Sequence, residues 1–166
     1  MLKELTAPPG LPAGSAVRPL GAEEYPAWLT AAVTTYVEAK VGNGMPRERA
    51  EHNAAEDHAT LLPDGPATAH QSLRVLAHEG TDVGTVWTTT YHPARPGGYV
   101  MDVRVEPEHR GRGHGRTLML VAERETLDAG RTVLGLNVYA DNPRARSLYE
   151  TLGYRPTAYS LHKLLL

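Results

Sequence analysis

The clearest chemical signal in the chain lies in residues 110–115, which read Arg-Gly-Arg-Gly-His-Gly. This segment stands between an extended apolar run and a helix-like segment. Because glycine has no Cβ, the backbone can turn sharply here and approach another group closely. The following helix would direct its first N–H groups and the positive end of its dipole at the turn, where Arg110, Arg112 and Arg116 add positive charge. The segment therefore predicts a site for a phosphate-bearing ligand.

Two common phosphate-binding loops do not fit this turn. A P-loop needs a lysine after its second glycine, and no lysine lies near the turn. The dinucleotide fingerprint needs the spacing Gly-x-Gly-x-x-Gly, whereas the glycines here follow Gly-x-Gly-x-Gly. The spacing Arg-x-x-Gly-x-Gly of Arg110, Gly113 and Gly115 resembles the pyrophosphate loop of the GNAT superfamily, the GCN5-related N-acetyltransferases that use acetyl-CoA. For this turn alone, a solvated Arg/Gly turn is the alternative.

A second motif further along the chain strengthens the resemblance. Residues 142–154 resemble the family signature Asn-x-x-Ala-x-x-Leu-Tyr-x-x-x-Gly-Phe/Tyr. Residues 99–105 resemble the family's fourth strand, and residues 134–138 resemble its fifth. With two separated motifs in the family's order, the chain resembles a small, single-domain bacterial member of the GNAT superfamily.

Length and composition are those of one globular domain. Of the 166 residues, 41% are apolar and 22% are charged, which are ordinary values. The formal net charge of −2 gives no reason to expect nucleic acid or an anionic membrane as a partner. The absence of cysteine excludes a disulfide, a thiolate metal site and a cysteine nucleophile. The first residues lack a signal-peptide core, and no apolar run approaches the ~20 residues of a membrane span, so we expect a cytoplasmic protein.

The order of predicted elements fits the same family. Residues 1–14 are rich in proline and glycine and predict a flexible leader, while residues 15–166 predict a single domain. Periodicity and turn signals predict the element order β-α-α-β-β-β-α-β-α-β. The predicted helices are 23–40, 46–61, 113–129 and one that starts at 142, and the predicted strands are 17–20, 73–78, 83–89, 99–105, 132–138, 154–156 and 159–164. The resemblance implies an α/β (α+β) GNAT fold, with a mixed, mostly antiparallel sheet of six to seven strands and about four helices on both faces.

The resemblance also implies a path for acetyl-CoA, as a co-substrate and without a metal. In the family, strands four and five separate, and backbone groups of the fourth strand bind the pantetheine arm in the opening. The diphosphate lies in the glycine-rich turn, and Asn142 contacts the pantetheine, although an asparagine there also suits a helix cap. The residues implied to bind the cofactor are Val103, Arg104, Val105, Arg110, Gly111, Arg112, Gly113, His114, Gly115, Arg116, Asn137, Asn142, Ala145 and Tyr149.

Tyr149 is the residue predicted to take part directly in the chemistry. Acetyl transfer from a thioester to an amine expels a thiolate, and a phenol near the sulfur can donate a proton to it. The pKa of a free tyrosine is about 10 and that of a free thiol about 8.5, so the proton transfer is feasible. The alternative is that Tyr149 is a half-buried aromatic residue of an amphipathic helix.

Two carboxylates are candidates for the base that takes the proton of the attacking amine. Asp102 lies on the predicted fourth strand, and Glu106 lies at its junction with the turn. Strict alternation along a strand puts Asp102 on the face opposite Met101 and Val103. If Met101 and Tyr99 face the substrate, Asp102 then faces a helix and is structural. A water chain to a distant carboxylate would also serve.

The predicted function is an acetyl-CoA-dependent N-acetyltransferase that moves an acetyl group to a primary amine of a small molecule or peptide, by direct attack in a ternary complex. The alternatives are a non-catalytic acyl-CoA-binding or protein-interaction module on the same fold, and a nucleotide-binding protein that uses the turn. His109 and His114 are expected on the cofactor side or facing solvent. The sequence leaves the identity of the acceptor open, and also whether the protein forms a homodimer.

Overall fold

Six strands form a single mixed sheet in a computed structural model that describes residues 1–91 and 97–158. Neighbouring strands are antiparallel except for the fifth and sixth, which are parallel. The predicted mixed, mostly antiparallel sheet is confirmed. The strands are β1 (Leu2–Glu4), β2 (Ser15–Pro19), β3 (Gln71–His78), β4 (Thr81–Thr89), β5 (Gly98–Val105) and β6 (Val133–Leu136), and their order across the sheet is β1-β6-β5-β4-β3-β2.

Four α-helices accompany the sheet, as predicted: α1 (Tyr25–Gly42), α2 (Arg47–Leu61), α3 (His114–Asp128) and α4 (Pro143–Thr151). The described residues fall into two compact units. One unit holds the sheet with α3 and α4, and the other comprises residues 20–69 with α1 and α2. That residues 15–166 form a single domain stays a prediction. No helix in the described part of the chain has both the length and the apolar character needed to cross a membrane.

Helix α3 builds the core of the first unit. Its buried residues Leu118, Val121 and Ala122 recur at helical spacing and pack with sheet residues that include Val86. Just past the helix, Gly130 has a φ of 72°, the left-handed conformation that commonly ends helices. Packing against the sheet therefore fixes where α3 lies, and so where its first turn points.

Small residues join the two helices of the second unit. Ala50 and Ala54 lie one turn apart on α2 and are fully buried in a cluster with Val37 of α1. The hydroxyl of Tyr36 donates to Oδ2 of Asp57 at 2.9 Å, which adds a polar link between the same helices. Burial of alanine rather than of larger residues explains why α2 has a weakly apolar sequence.

The start of the chain differs from the sequence prediction. Leu2–Glu4 pair with residues 133–135 as strand β1, and the N-terminal amino group donates to the carbonyl oxygen of Leu136 at 2.8 Å. Leu5 is buried. The flexible leader predicted for residues 1–14 is therefore wrong over its first five residues. A strand of three residues carries too little alternation to be recognised, yet it satisfies backbone groups along the edge of β6.

The predicted strands at the other end of the chain have different outcomes. Within the predicted strand 154–156, Arg155 forms only an isolated antiparallel bridge with Leu2. The backbones of these two residues exchange two hydrogen bonds, at 2.9 and 2.8 Å. The predicted strand 159–164 lies outside the described residues.

Strands β5 and β6 separate after three paired residues each, which creates an opening in the sheet. They pair only where residues 98–100 meet residues 134–136. Beyond that point, residues 101–105 of β5 have no strand partner on this side within the described part of the chain. Met101 is an extra residue at the same place, because Val100 lies opposite Thr88 while Asp102 lies opposite Trp87. A β-bulge therefore marks the start of the opening.

Candidate active site

The glycine-rich turn presents the start of α3 to open space. Gly111 and Gly113 have φ values of 80° and 89°, so both adopt the left-handed backbone that favours glycine. The hydrogen bonds of the first helical turn begin at Arg116, whose N–H donates to the carbonyl of Gly113 at 3.0 Å. A Cβ added at Gly113 would meet no atom within 4 Å. The turn and the first N–H groups of the helix thus border a space that an anion could enter.

Two of the three arginines predicted around the turn also tie its elements together. The Nε of Arg110 donates to the carbonyl oxygen of Val105, the last residue of β5, at 3.1 Å. The Nη2 of Arg116 donates to Oγ1 of Thr151 at 2.7 Å and so links α3 to α4. The side chain of Arg112 is exposed. These bonds hold the end of β5, the turn and α4 in a fixed arrangement.

The side chain of His114 lies close to two other histidines. It is buried, and its ring centroid lies 5.1 Å from that of His78 and 6.3 Å from that of His109. Burial lowers the pKa of His114, and the positive charges of His78, His109 and Arg112 lower it further. Of the two expected places for His114, burial excludes the one facing solvent. Its place on the cofactor side stays a prediction.

The backbone of β5 alternates between the neighbouring strand and the opening. The N–H of Glu106 donates to the carbonyl of Val83 at 3.0 Å, and a Cβ added at Gly84 would collide with the carbonyl oxygen of Arg104. The backbone of Arg104 therefore points towards β4. Because these groups alternate along a strand, those of Val103 and Val105 point to the open edge.

Helix α4 lies beside the glycine-rich turn and the start of α3. Asn142 caps it, with Oδ1 accepting a hydrogen bond from the N–H of Ala145 at 3.1 Å. The side chain of Leu148 approaches Gly115 closely enough that an added Cβ there would lie 3.5 Å from its Cδ2. The cap uses the oxygen of Asn142 and leaves its amide NH₂ available, since Asn142 is exposed. Asn137 is also exposed, one residue after the end of β6.

Tyr149 is half-buried on α4 and packs against Tyr154, with ring centroids 6.1 Å apart at 64°. Burial raises the pKa of Tyr149, and the negative charge of Asp102 raises it further. The phenol therefore keeps its proton throughout the neutral range. The structure brings Tyr149 and Asp102 into electrostatic reach of each other, as the sequence could not show.

The bulge at Met101 changes which face Asp102 occupies. Residues opposite each other in antiparallel strands share a face, and Val103 lies opposite Val86, on the side of the core beneath α3. Asp102 lies opposite Trp87 on the other face, which it shares with Tyr99. Strict alternation would have separated Asp102 from Tyr99, so that argument fails here.

Glu106, the second predicted carboxylate, lies one residue past the end of β5. Four residues along an extended chain separate it from Asp102, a distance of about 13 Å. Its charge is not among the causes of the raised pKa of Tyr149. Of the two predicted carboxylates, Asp102 is therefore the one whose charge acts on the proposed acid.

Comparison with known proteins identifies the family. A model of the acetyltransferase (GNAT) family matches residues 36–154. The uncharacterized N-acetyltransferase YycN of Bacillus subtilis is 30% identical over 152 residues, which cover 89% of this chain and 96% of YycN. The chain belongs to the GNAT family. It is therefore an acetyltransferase, and the predicted family and enzyme class are confirmed.

One solved structure and one further relative extend the comparison for this GNAT acetyltransferase. The crystal structure of YycN superimposes with a TM-score of 0.82 at 29% identity, covering 92% of this chain and 99% of that one. The mycothiol acetyltransferase of Paenarthrobacter aurescens is 32% identical over 151 residues. That match covers 87% of this chain but only 44% of the relative, so the chain spans less than half of that protein's length.

The sequence motifs of this GNAT acetyltransferase do not indicate one group of buried polar atoms. The side chains of Thr85 and Arg104 lie opposite each other on the face that also carries Asp102, and buried atoms of both lack hydrogen bonds to described residues. An arginine is rarely buried, so an arginine between two valines in a predicted central strand could have indicated a polar site. Among residues 1–91 and 97–158, no group of three or more His, Cys, Asp or Glu side chains could hold a metal ion.

Proposed function

We propose that this acetyltransferase moves the acetyl group of acetyl-CoA to a primary amine, by direct attack of the amine in a ternary complex. The observation that carries the proposal is the open edge of β5. This edge ends near the glycine-rich turn, and the half-buried phenol of Tyr149 lies within reach of the charge of Asp102 on the same strand. An extended ligand arm with a phosphate end and a reactive end matches that arrangement.

The chain's own groups fit acetyl-CoA. The N–H groups at the start of α3 and in the turn would bind the diphosphate, because they border open space and carry the positive end of the helix dipole. The outward-facing backbone of Val103 and Val105 would bond the pantetheine arm as an added strand does. The free amide NH₂ of Asn142 would donate to the same arm, and Ala145 would leave room for it.

Acetyl-CoA supplies the thioester, at which the C–N bond forms and the C–S bond breaks. Tyr149 donates its proton to the sulfur as the thiolate leaves. The phenol is fully protonated at neutral pH, so its proton is available when the thiolate leaves. Its raised pKa means that it gives the proton up less readily than a free tyrosine does.

A proton must also leave the attacking amine. The pKa of an alkylammonium, near 10.4, lies about three units above pH 7, so removing its proton at that pH costs about 4–5 kcal/mol. Asp102 is the carboxylate whose charge reaches Tyr149, and it would accept this proton directly or through water. Two neighbouring side chains would then handle the two protons: Asp102 would accept the one from the amine, and Tyr149 would donate the one to sulfur.

The substitution Tyr149→Phe tests the proposal. It keeps the packing against Tyr154 and removes the proton, so we expect kcat to fall about 10²- to 10⁴-fold with unchanged affinity for acetyl-CoA. Thiol release, measured where chemistry limits turnover, gives the rate, and calorimetry gives the affinity.

The matched control is Tyr91→Phe, which changes an exposed tyrosine and should keep the wild-type rate. A Tyr149→Phe variant with full kcat would exclude Tyr149 as the acid. If the wild-type protein bound acetyl-CoA and acetylated no amine, the result would favour the non-catalytic acyl-CoA-binding module instead.

A further inference from the structure

Three buried polar atoms belong to two facing residues of the sheet and lack a hydrogen-bond partner among the described residues. They are Nε and Nη1 of Arg104 and Oγ1 of Thr85, and none forms a hydrogen bond with the described residues. Thr85 and Arg104 lie opposite each other on β4 and β5. Their side chains therefore leave the sheet on the same face as nearest neighbours.

Burying these atoms costs free energy unless a partner supplies the missing hydrogen bonds. A guanidinium keeps its charge at every pH that proteins meet, so Arg104 cannot avoid the cost by losing a proton. Buried polar groups are nearly always hydrogen-bonded, and an ionised group without a partner is the most expensive exception. A guanidinium can only donate hydrogen bonds, so the partner that completes Arg104 is an acceptor, and the positive charge of Arg104 favours an acceptor with negative charge.

Arg104 shares a face of β5 with Asp102, one of the groups proposed to take part in the reaction. Asp102 lies two residues earlier on the same face, about 7 Å away along the strand. Its charge in turn acts on the phenol of Tyr149. The face therefore carries a carboxylate near the proposed acid and an unpaired cation one step further along the strand.

We propose that Arg104 and Thr85 bind a carboxylate of the amine acceptor, so that the acceptor is an amino acid or a similar molecule that carries both groups. The inference rests on the proposed function and adds the substrate class to it. The amine would lie at Asp102 and Tyr149, and the carboxylate at Arg104. A guanidinium suits this role because it pairs with a carboxylate in a planar, two-bond geometry.

Two observations favour an acceptor carboxylate over a phosphate of the cofactor. The side chain of Arg104 leaves the sheet on the face away from α3, whereas the turn that suits phosphates lies at the start of α3. Asp102 also contributes a negative charge to the same face, which disfavours a dianion more than a carboxylate with a single charge.

The test compares matched pairs of acceptors, each an ω-amino acid and its carboxamide, with the wild-type protein and Arg104→Gln. The measured quantity is kcat/KM for the acid divided by kcat/KM for the amide. Comparing this ratio between proteins cancels the difference in amine pKa within each pair. We expect the ratio to fall about 10- to 100-fold in Arg104→Gln, as for the loss of a charge-assisted hydrogen bond. The KM for acetyl-CoA should not change.

Controls separate this role from a structural one. The variant Arg131→Gln removes an exposed arginine from the same unit and should keep the wild-type ratio. Arg104→Lys keeps the charge without the planar fork and should give an intermediate ratio. If Arg104→Gln does not fold, wild-type protein and Arg104→Lys still provide the test. Propionate should then compete with the amino acids, more weakly in Arg104→Lys.

The failures of the two proposals are distinguishable. An unchanged ratio in Arg104→Gln, with amines still acetylated, would overturn the inference and leave the proposed function standing. A raised KM for acetyl-CoA with the same ratio would assign Arg104 to the cofactor and would also overturn it. No transfer to any member of either series, despite binding of acetyl-CoA, would overturn the proposed function and the inference with it.

Discussion

The charge of Asp102 acts on the phenol of Tyr149, and this effect can be measured at a single atom. Burial is the larger cause of the raised pKa of Tyr149, and the carboxylate of Asp102 is the smaller one. In Asp102→Asn the pKa of Tyr149 should therefore fall but stay above its ordinary value of about 10, because burial remains. The ¹³C shift of the tyrosine ring carbon bonded to oxygen, followed against pH, reports this pKa, and Tyr149→Phe assigns the signal.

Glu106→Gln serves as the control for this experiment. Glu106 is not among the causes of the shift, so the variant should leave the pKa of Tyr149 unchanged. In activity, the acid form of Tyr149 is lost as pH rises through its pKa. The alkaline limb of kcat should therefore move to lower pH in Asp102→Asn and stay in place in Glu106→Gln. Equal shifts in both variants would mean that Asp102 affects the pKa of Tyr149 no more than Glu106 does.

At the level of single residues, the sequence predicted the groups that belong to short motifs. Asn142 caps its helix as the motif implies, because a cap depends on residues within three positions. The burial of His114 and the unpaired guanidinium of Arg104 were not predictable in this way. Each depends on what lies across the sheet or behind the turn, at His78 and Thr85, and that is set by strand pairing rather than by local sequence.

Among the elements, the turn at the start of α3 gives the sharpest prediction. Gly113 has a φ of 89° and open space where a Cβ would lie. Gly113→Val should therefore strain the backbone by roughly 1–2 kcal/mol and also place a side chain where the diphosphate is proposed to lie. We expect the affinity for acetyl-CoA, measured by calorimetry, to fall about 10-fold or more as hydrogen bonds to the anion are lost.

Gly130 provides the matched control at the other end of the same helix. It too has positive φ, 72°, and no atom within 4 Å of an added Cβ. Gly130→Val should cost similar stability and leave the affinity for acetyl-CoA unchanged. If both variants lost affinity equally, strain in α3 would explain the loss and the turn would not be the binding site.

The order of elements was predictable, whereas their junctions were not. Long runs such as β4 and α3 carry enough periodicity to be recognised from the sequence. The bulge at Met101 adds one residue to β5, and one residue is enough to reverse which face the following side chains occupy. The placement of Asp102 therefore needed the pairing of β5 with β4, which no local pattern in 99–105 reveals.

At the scale of the whole molecule, one charged cluster links three distant parts of the chain. The Nζ of Lys3 in β1 contacts Oε1 of Glu123 in α3 at 2.7 Å, and the hydroxyl of Tyr154 donates to the same oxygen at 3.2 Å. Glu123 is only 2% exposed. A carboxylate so deeply buried is tolerable only with such partners, so β1 does more than cover the edge of β6.

Removing the lysine should leave that buried carboxylate without its counter-charge. The side chain of Lys3 is 23% exposed, so in Lys3→Met we expect a loss of about 3 kcal/mol in the free energy of unfolding, the low end for a broken buried pair. Denaturant titration measures it. Arg47→Met, which breaks an ion pair whose side chains are 54% and 61% exposed, is the control and should cost about 0–1 kcal/mol.

The double variant Lys3→Met/Glu123→Gln decides whether charge is the cause. A neutral amide at position 123 needs no counter-charge, so part of the loss should return and the double variant should be more stable than Lys3→Met alone. If Lys3→Met cost no more than Arg47→Met, the buried pair would contribute nothing and β1 would depend on its backbone pairing. If the double variant lost the sum of both single changes, the cost would lie in packing rather than in an unpaired charge.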